Sequence, residues 1–317
     1  MKLSLVCPCY NEEGNVGKFL QACQSSLKNK ISSYEIIFIN DGSRDNTWKA
    51  LKELCHSSDV SIKLINLSRN FGKESAMYAG LQKAEGDYVT LIDADLQQDP
   101  AIAVEMVEFL ENNADFDCVA AYQERRNEGA VLSFFKKTFY KVINALSEID
   151  FHNGASDFRT FRREVAEAIL QVREYHRFSK GIFSWVGFNT YYMPYTAKAR
   201  NDGKTSWSFK KLFKYGFGGI IAYSTMPLKL SSFLGIFISI LSLLYMIVVI
   251  IQKLTAGIDI PGYATTIVLI LFMGGLQLIS LGIIGEYIAR IYIEGKRRPI
   301  CIIKNYETNI KSDENNN

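Results

Sequence analysis

The sequence predicts an α/β protein: a mostly parallel sheet with helices on both faces, followed by two transmembrane helices. Three observations lead there. Short apolar runs alternate with helical patterns from Leu3 to Tyr122, each run ends in a polar cluster, and two long later segments carry no charge. Strands that alternate with helices imply parallel pairing, and such sheets bind ligands outside the carboxyl ends of their strands.

Leu3 to Cys7 is the first run, closed by Pro8, and after a loop Val16, Phe19, Leu20, Cys23 and Leu27 recur at helical spacing. Tyr34 to Ile39 follows, closed by Asn40-Asp41-Gly42-Ser43, with Ser43 or Asp45 as N-cap for a helix through Trp48, Leu51 and Leu54. Ile62 to Leu67 ends at Ser68-Arg69-Asn70-Phe71-Gly72-Lys73-Glu74, ahead of a helix from Ser75 to Lys83. Tyr88 to Ile92 is the fourth strand. Pro100 opens a helix through Val104, Val107 and Leu110, which leads to a fifth strand, Asp117 to Tyr122.

The fourth strand carries the chemistry. It runs into Asp93-Ala94-Asp95-Leu96-Gln97-Gln98-Asp99-Pro100. Side chains two apart on a strand point the same way, so Asp93 and Asp95 project together. Two carboxylates aimed at one point repel unless a cation lies between them, and Mg²⁺ or Mn²⁺ with a substrate diphosphate suits all-oxygen ligands. The plain alternative is a solvated turn in which Asp99-Pro100 merely starts the next helix. One acidic or basic constellation after each run favours a shared cleft: Tyr10 and Glu12, Asp41, Arg69 to Lys73, Asp93 and Asp95, then Arg125-Arg126. Asp41 can accept from a uracil N–H or a ribose hydroxyl, Tyr10 can lie against a base, and Lys73 or Arg125 can neutralise phosphate.

Composition narrows the field. The 317-residue chain has a net charge of only +3, which gives no reason to expect a nucleic-acid partner. Cysteines at 7, 9, 23, 55, 118 and 301 show no Cys-x-x-Cys spacing, and histidine occurs only at 56, 152 and 176. Reduced, mostly buried thiols fit this pattern better than zinc. The N-terminal apolar run is too short for a signal peptide, so the first part of the chain is expected on the side of the membrane where it is made.

Pro8-Cys9-Tyr10-Asn11-Glu12-Glu13, Asn40-Asp41-Gly42-Ser43, Leu67 to Glu74 and Asp93-Ala94-Asp95-Leu96-Gln97 together resemble the family 2 inverting glycosyltransferases of GT-A fold. More narrowly they resemble the polyprenyl-phosphate branch, the dolichyl-phosphate mannose synthases and bactoprenol glucosyltransferases. The resemblance implies that Pro8, Tyr10, Glu12 and Asp41 hold the nucleoside and that Lys73 and Ala94 belong to the same nucleotide-sugar site. It also implies that Asp93, Asp95 and Gln97 hold a Mg²⁺ or Mn²⁺ ion and the diphosphate. Asn40 stands where many relatives have an Asp.

Beyond Arg125 the pattern is harder to read. Leu132, Phe135, Phe139, Val142 and Leu146 fall near helical spacing among Lys136, Lys137 and Lys141, which suits a helix in a membrane interface or, equally, one packed on the sheet. Asn153 to Arg159 is similar to the family's Gly-Asp-Phe-Arg segment, with Ser156 in place of Gly, and Asp157 lies where inverting enzymes of this fold place their base. A phosphate monoester has its second pKa near ~6, so a lipid phosphate is already mostly dianionic at neutral pH. Asp157 is therefore expected to orient the acceptor, or to stabilise charge at the anomeric carbon, rather than to abstract a proton. Arg177 lies in a run similar to the family's Arg-Phe…Gly…Trp-Val-Gly, and Arg200 and Lys204 flank a glycine-containing loop suited to phosphate neutralisation when a lid closes. His176 reads as a structural hydrogen-bonder.

Leu230 to Ile251 and Ala264 to Gly285 carry no charged residue. At ~1.5 Å per residue each is long enough for a hydrocarbon core of ~30 Å. Lys210, Lys211, Lys214 and Lys229 precede the pair, and Arg290, Lys296, Arg297 and Arg298 follow it, which puts both ends in the cytoplasm. The expected layout is a catalytic domain at 1–207, a juxtamembrane amphipathic segment at 208–229, a two-helix membrane domain at 230–288 and a cytoplasmic tail at 289–317, polar and disordered from Ser312.

The leading expectation is a multi-pass inner-membrane enzyme that moves one sugar from a nucleotide sugar to undecaprenyl phosphate at the cytoplasmic face, with inversion. Asp157 and Asp95 are its catalytic candidates, and Arg125, Arg177, Arg200 and Lys204 its phosphate and acceptor cations. UDP-glucose and UDP-N-acetylglucosamine are the expected donors, and the resemblance suggests a homo-oligomer. A processive polysaccharide synthase shares the same start but carries Gln-x-x-Arg-Trp and more spans, neither of which occurs here. A non-enzymatic membrane-anchored nucleotide-sugar scaffold is the other reading; substitution of Asp95 separates it from an enzyme.

Overall fold

The computed structural model describes residues 2–123, 155–195, 221, 224–256 and 262–309. They divide into two compact units, one built on a sheet and one on a pair of long helices.

The sheet unit begins with β1 (Lys2–Cys9), α1 (Val16–Leu27), β2 (Ser33–Asn40), α2 (Thr47–Ser57), β3 (Ser61–Leu67), α3 (Lys73–Leu81), β4 (Tyr88–Leu91), α4 (Pro100–Asn112) and β5 (Cys118–Gln123). Each strand and helix expected over this stretch is present, with ends that coincide or move by a few residues at most. Period-two alternation distributes the side chains: Leu3, Leu5 and Cys7 face one layer with Phe19 of α1 and Val104 of α4, while Val6 faces the other with Ile39 and Ala76. The helix α3 rides close on that second face because Gly80 has no side chain. A Cβ there would stand 2.4 Å from Val6 Cγ1 and 2.7 Å from Ile39 Cδ1.

Helix starts follow the expected chemistry with one shift. Asp99 Oδ1 accepts from Ala101 N at 3.0 Å with Pro100 in the first turn. Asp45 Oδ1 accepts from both Thr47 N and Thr47 Oγ1, although the residue flanking α2 is Asn46.

The rest of the sheet was not apparent in the strand pattern. β6 (Ala155–Arg162), α5 (Arg163–Gln171), α6 (Ser179–Trp185) and β7 (Thr190–Tyr195) follow, and β8 (Ile303–Thr308) returns from the far end of the chain. The strand order is β7-β5-β6-β4-β1-β2-β3-β8. The β1–β2, β1–β4, β2–β3 and β5–β7 pairs are parallel; β6 runs antiparallel to both β4 and β5, and β8 antiparallel to β3. Ser-Asp-Phe-Arg is thus part of a central strand, and part of the segment expected as a tail covers the edge of β3. Asn309 fastens that strand: its Oδ1 accepts from Ile62 N at 2.8 Å, and its Nδ2 donates to Ser58 O and Val60 O.

The second unit contains α7 (Met226–Ala256) and α8 (Tyr263–Gly295). They include stretches of 27 and 28 residues, Met226–Gln252 and Val268–Gly295, long and apolar enough to cross a membrane. Leu230, Phe233, Ile236, Leu271, Leu278 and Leu281 are exposed along them, an arrangement that lipid tolerates and water does not. The helices overrun the expected spans at both ends. The expected interfacial helix around 131–146, most of the juxtamembrane segment and the residues from Ser312 onward lie outside the described residues.

Candidate active site

The site is assembled at the carboxyl ends of β1, β2, β3 and β4. Asp41 follows β2 and is 3% exposed. Its Oδ1 accepts from Phe71 N at 2.7 Å and its Oδ2 from Gly72 N at 2.9 Å, so the carboxylate ties down the loop that carries Lys73. Burial raises its pKa against the pull of those two amides and of Arg69. Gly42 makes the approach feasible: its φ is +63°, and a Cβ would meet Arg69 C and Asn70 N at 2.4 Å. Asn40 joins two strand ends, its Nδ2 donating to Asn66 Oδ1 at 2.8 Å while its Oδ1 accepts from Ser43 N at 3.3 Å. The amide that departs from the family pattern thus has a structural task.

The turn after β4 holds the paired acids. Asp93 accepts from Lys73 Nζ through both oxygens, at 2.7 and 2.9 Å, and from Gln98 Nε2 at 3.1 Å; Asp93 N donates to Gln98 Oε1 at 2.9 Å. Asp95 Oδ1 accepts from Gln97 N at 3.1 Å, and Leu96 between them takes φ 60°, which sharpens the turn. Ala94 faces the core, 2% exposed. Lys73 also reaches Asp157 Oδ2 on β6 at 3.3 Å. One ammonium therefore links the end of β4 to the central antiparallel strand, and its proton is held more tightly than an ordinary lysine's: the two carboxylates outweigh burial. Burial alone would raise the Asp157 pKa; Lys73, Lys180 and Arg159 overcome it and leave the carboxyl below its ordinary value.

Glu74 behaves oppositely. Burial, with Asp157 nearby, raises its pKa to about 8 against Ser179, Arg177 and Lys73. Its Oε2 accepts from Ser179 N at 2.9 Å and also from Ser179 Oγ.

The structure brings together Asp41, Lys73, Asp93 and Asp157 through these direct contacts. Pro8 sits in β1 beside Ile39 of β2, one residue before Cys9, whose carbonyl accepts from Asp41 N at 2.9 Å. Tyr10 is 41% exposed at the strand end. Glu12 Oε2 accepts from Asn15 Nδ2 at 2.6 Å and Glu12 N donates to Thr47 Oγ1 at 2.8 Å, so the described contacts of that loop are with its own helix and the 43–47 turn. Arg177 lies over the Tyr78 ring at 4.7 Å and donates to Val172 O. Arg125, Arg200 and Lys204 lie outside the described residues. Sequence reasoning passed over Gln98, Glu74, Ser179 and Lys180. The adjacent motif residues signalled Gln98 and Glu74; nothing local signalled that Ser179 would reach α3.

Residues 4–170 match the family described as Glycosyl transferase family 2, and residues 226–291 match the GtrB C-terminal hairpin. The chain belongs to glycosyl transferase family 2. This glycosyl transferase is 42% identical to the putative glycosyltransferase CsbB of Bacillus subtilis over 97% of its own length and 92% of that protein's. It is 39% identical to the bactoprenol glucosyl transferase of Shigella phage SfV, over 96% of this chain and 99% of that protein's length. Among solved structures it resembles a glucosyl-3-phosphoglycerate synthase from Mycobacterium tuberculosis bound to Mn²⁺, UDP-glucose and phosphoglyceric acid, at 17% identity and a TM-score of 0.46, over 69% of this chain and 77% of that one.

Proposed function

We propose that this glycosyl transferase moves a single hexose from a UDP-sugar, UDP-glucose or UDP-N-acetylglucosamine, to undecaprenyl phosphate at the cytoplasmic face of the inner membrane, inverting the anomeric carbon. The observation that carries the reading is the Lys73 bridge between Asp93 and Asp157, in a chain that also has two helices long enough to cross a bilayer. A donor site and an acceptor site then meet at one cation. The similarity to a bactoprenol glucosyl transferase supports the same acceptor.

Asp93, Asp95 and Gln97 offer only oxygen donors, and among the described residues no group of three or more His, Cys, Asp and Glu forms a closed metal cage. Such a sparse set fits Mg²⁺ or Mn²⁺ that also takes diphosphate oxygens. When bound, the ion would stabilise the charge of the departing nucleoside diphosphate. Pro8, Tyr10 and Glu12 would form the nucleoside end, with Asp41 acting on it through the 71–72 loop. Lys73 would then neutralise phosphate, while Gln98 keeps the Asp93 carboxylate aimed. In the transfer, a phosphate oxygen of the lipid bonds to the anomeric carbon as the bond from that carbon to the donor's β-phosphate oxygen breaks. Asp157, held ionised, stabilises positive charge at that carbon and orients the acceptor; Arg125, Arg177, Arg200 and Lys204 serve its phosphate. Purified protein supplied with divalent ion, undecaprenyl phosphate and a panel of nucleotide sugars should give a glycolipid identifiable by mass, and Asp95→Asn should abolish it with folding retained. Folded wild type that makes no glycolipid from any donor overturns the reading.

The catalytic domain at 1–207 and both chain ends are assigned to the cytoplasm. Pairing of β8 with β3 supports this, because a chain that crosses twice returns to the side it left. Homo-oligomerisation is part of the same reading and is tested by the mass of the detergent-solubilised protein.

A further inference from the structure

We propose that Glu74 is a positioning residue for the acceptor side of the reaction: through Ser179 it clamps the start of α6 to the start of α3 and so holds Lys180 within reach of Asp157 and Arg177 against the Tyr78 ring. The inference rests on the acceptor assignment above.

The clamp has two points on α3. At the first, Glu74 Oε2 accepts from Ser179 N at 2.9 Å and from Ser179 Oγ, and Ser179 is 4% exposed, so water competes poorly for these bonds. At the second, one helical turn on, the Tyr78 ring faces the Arg177 guanidinium at 4.7 Å. One turn further along, α6 is held by β6. The Arg159 guanidinium lies 3.7 Å over the Phe183 ring, and Phe183 packs on Phe161 with ring centroids 6.5 Å apart. Asp157 belongs to that same strand. Residues 172–178 between α5 and α6 form no regular element, so the placement of Arg177 and Lys180 depends on these side-chain contacts rather than on a backbone ladder. The influence of Lys180 on Asp157 indicates that the clamped segment lies close to that carboxylate.

The bonds to Ser179 require an acceptor oxygen at Glu74, not a charge, and a glutamine amide supplies one. The outcome therefore separates positioning from acid–base chemistry. In full-length protein with donor and undecaprenyl phosphate varied separately, Glu74→Ala should raise the KM for the lipid phosphate about tenfold with the donor KM unchanged, the order expected when binding groups lose their alignment. Glu74→Gln should restore both values. Hydrogen exchange in the substrate-free protein gives a second readout: the amides of 177–182 should exchange faster in Glu74→Ala and at the wild-type rate in Glu74→Gln. Equal defects in the two variants, an unchanged lipid KM in Glu74→Ala, or unchanged exchange there would overturn the proposal. If wild type makes no glycolipid, the acceptor assignment fails, and the exchange result still decides whether Glu74 is the clamp.

Discussion

Lys73 Nζ stands 3.3 Å from Asp157 Oδ2, and the two belong to segments far apart in the chain: the first residue of a helix and the third residue of a central antiparallel strand. Because Lys73 also binds both oxygens of Asp93, its removal leaves two carboxylates without their shared cation. Lys73→Met should lower turnover about 100-fold, the scale for loss of one preorganised electrostatic group. In the absence of nucleotide sugar it should bind Mn²⁺ more tightly, since the competing ammonium is gone. Calorimetric titration of Mn²⁺ with wild type and variant measures this; unchanged or weaker binding would contradict a shared position.

Asp41 satisfies two backbone amides, and an asparagine oxygen at that place leaves one of them facing an NH₂ group. Asp41→Asn should destabilise the sheet unit by about 2 kcal/mol, the cost of an unsatisfied buried donor. Amide exchange at Phe71 and Gly72 should accelerate. If exchange there is unaltered and only the donor KM rises, Asp41 reads the nucleoside directly instead.

Gly42 meets two demands at once, a positive φ and contact with the Arg69–Asn70 peptide. Gly42→Ala should cost about 3 kcal/mol, combining left-handed strain with displacement of backbone, and should lower the apparent melting midpoint in detergent. Activity should fall with it, because the displaced loop leads into Lys73. Wild-type melting and turnover in this variant would show that the loop yields freely.

The Glu74 carboxyl is raised from 4.5 to about 8 by burial and by Asp157. Across that interval the folded chain keeps a proton that the unfolded chain has lost, so the stability contributed below 4.5 declines as pH rises toward 8. Glu74→Gln cannot ionise and should lack this decline. Its melting midpoint relative to wild type should climb between pH 5 and about pH 8 and level off above it. A difference that stays constant with pH would mean that Glu74 titrates normally.

The Asn309 side chain makes three bonds to the 58–62 segment and anchors the end of β8. Asn309→Ala should cost about 2 kcal/mol, and by loosening β8 it should expose the β3 edge to proteolysis and association. Limited digestion and size-exclusion profiles check this; profiles like those of wild type would show that strand pairing alone suffices.

The sequence by itself determined the parts that rest on local patterning. Apolar runs and their polar ends located β1 to β5 with α1 to α4, Asp93 and Asp95 marked the turn after β4, and absence of charge located the two long helices. Period and hydropathy are properties of neighbours in the chain, so they survive without coordinates. Only tertiary structure decided what depends on partners distant in sequence. The strand Ala155–Arg162 alternates charged with aromatic residues and does not look buried until Arg159 is seen stacked on Phe183. Likewise β8 is an ordinary polar stretch until β3 supplies its ladder, the bonds from Asp41 to two amides of a later loop exist only once β2 and β3 lie side by side, and Ser179 gains meaning only beside Glu74. Hydrogen bonds and ion pairs between remote segments are selected by where the packed sheet and helices place them, and no local pattern encodes that distance.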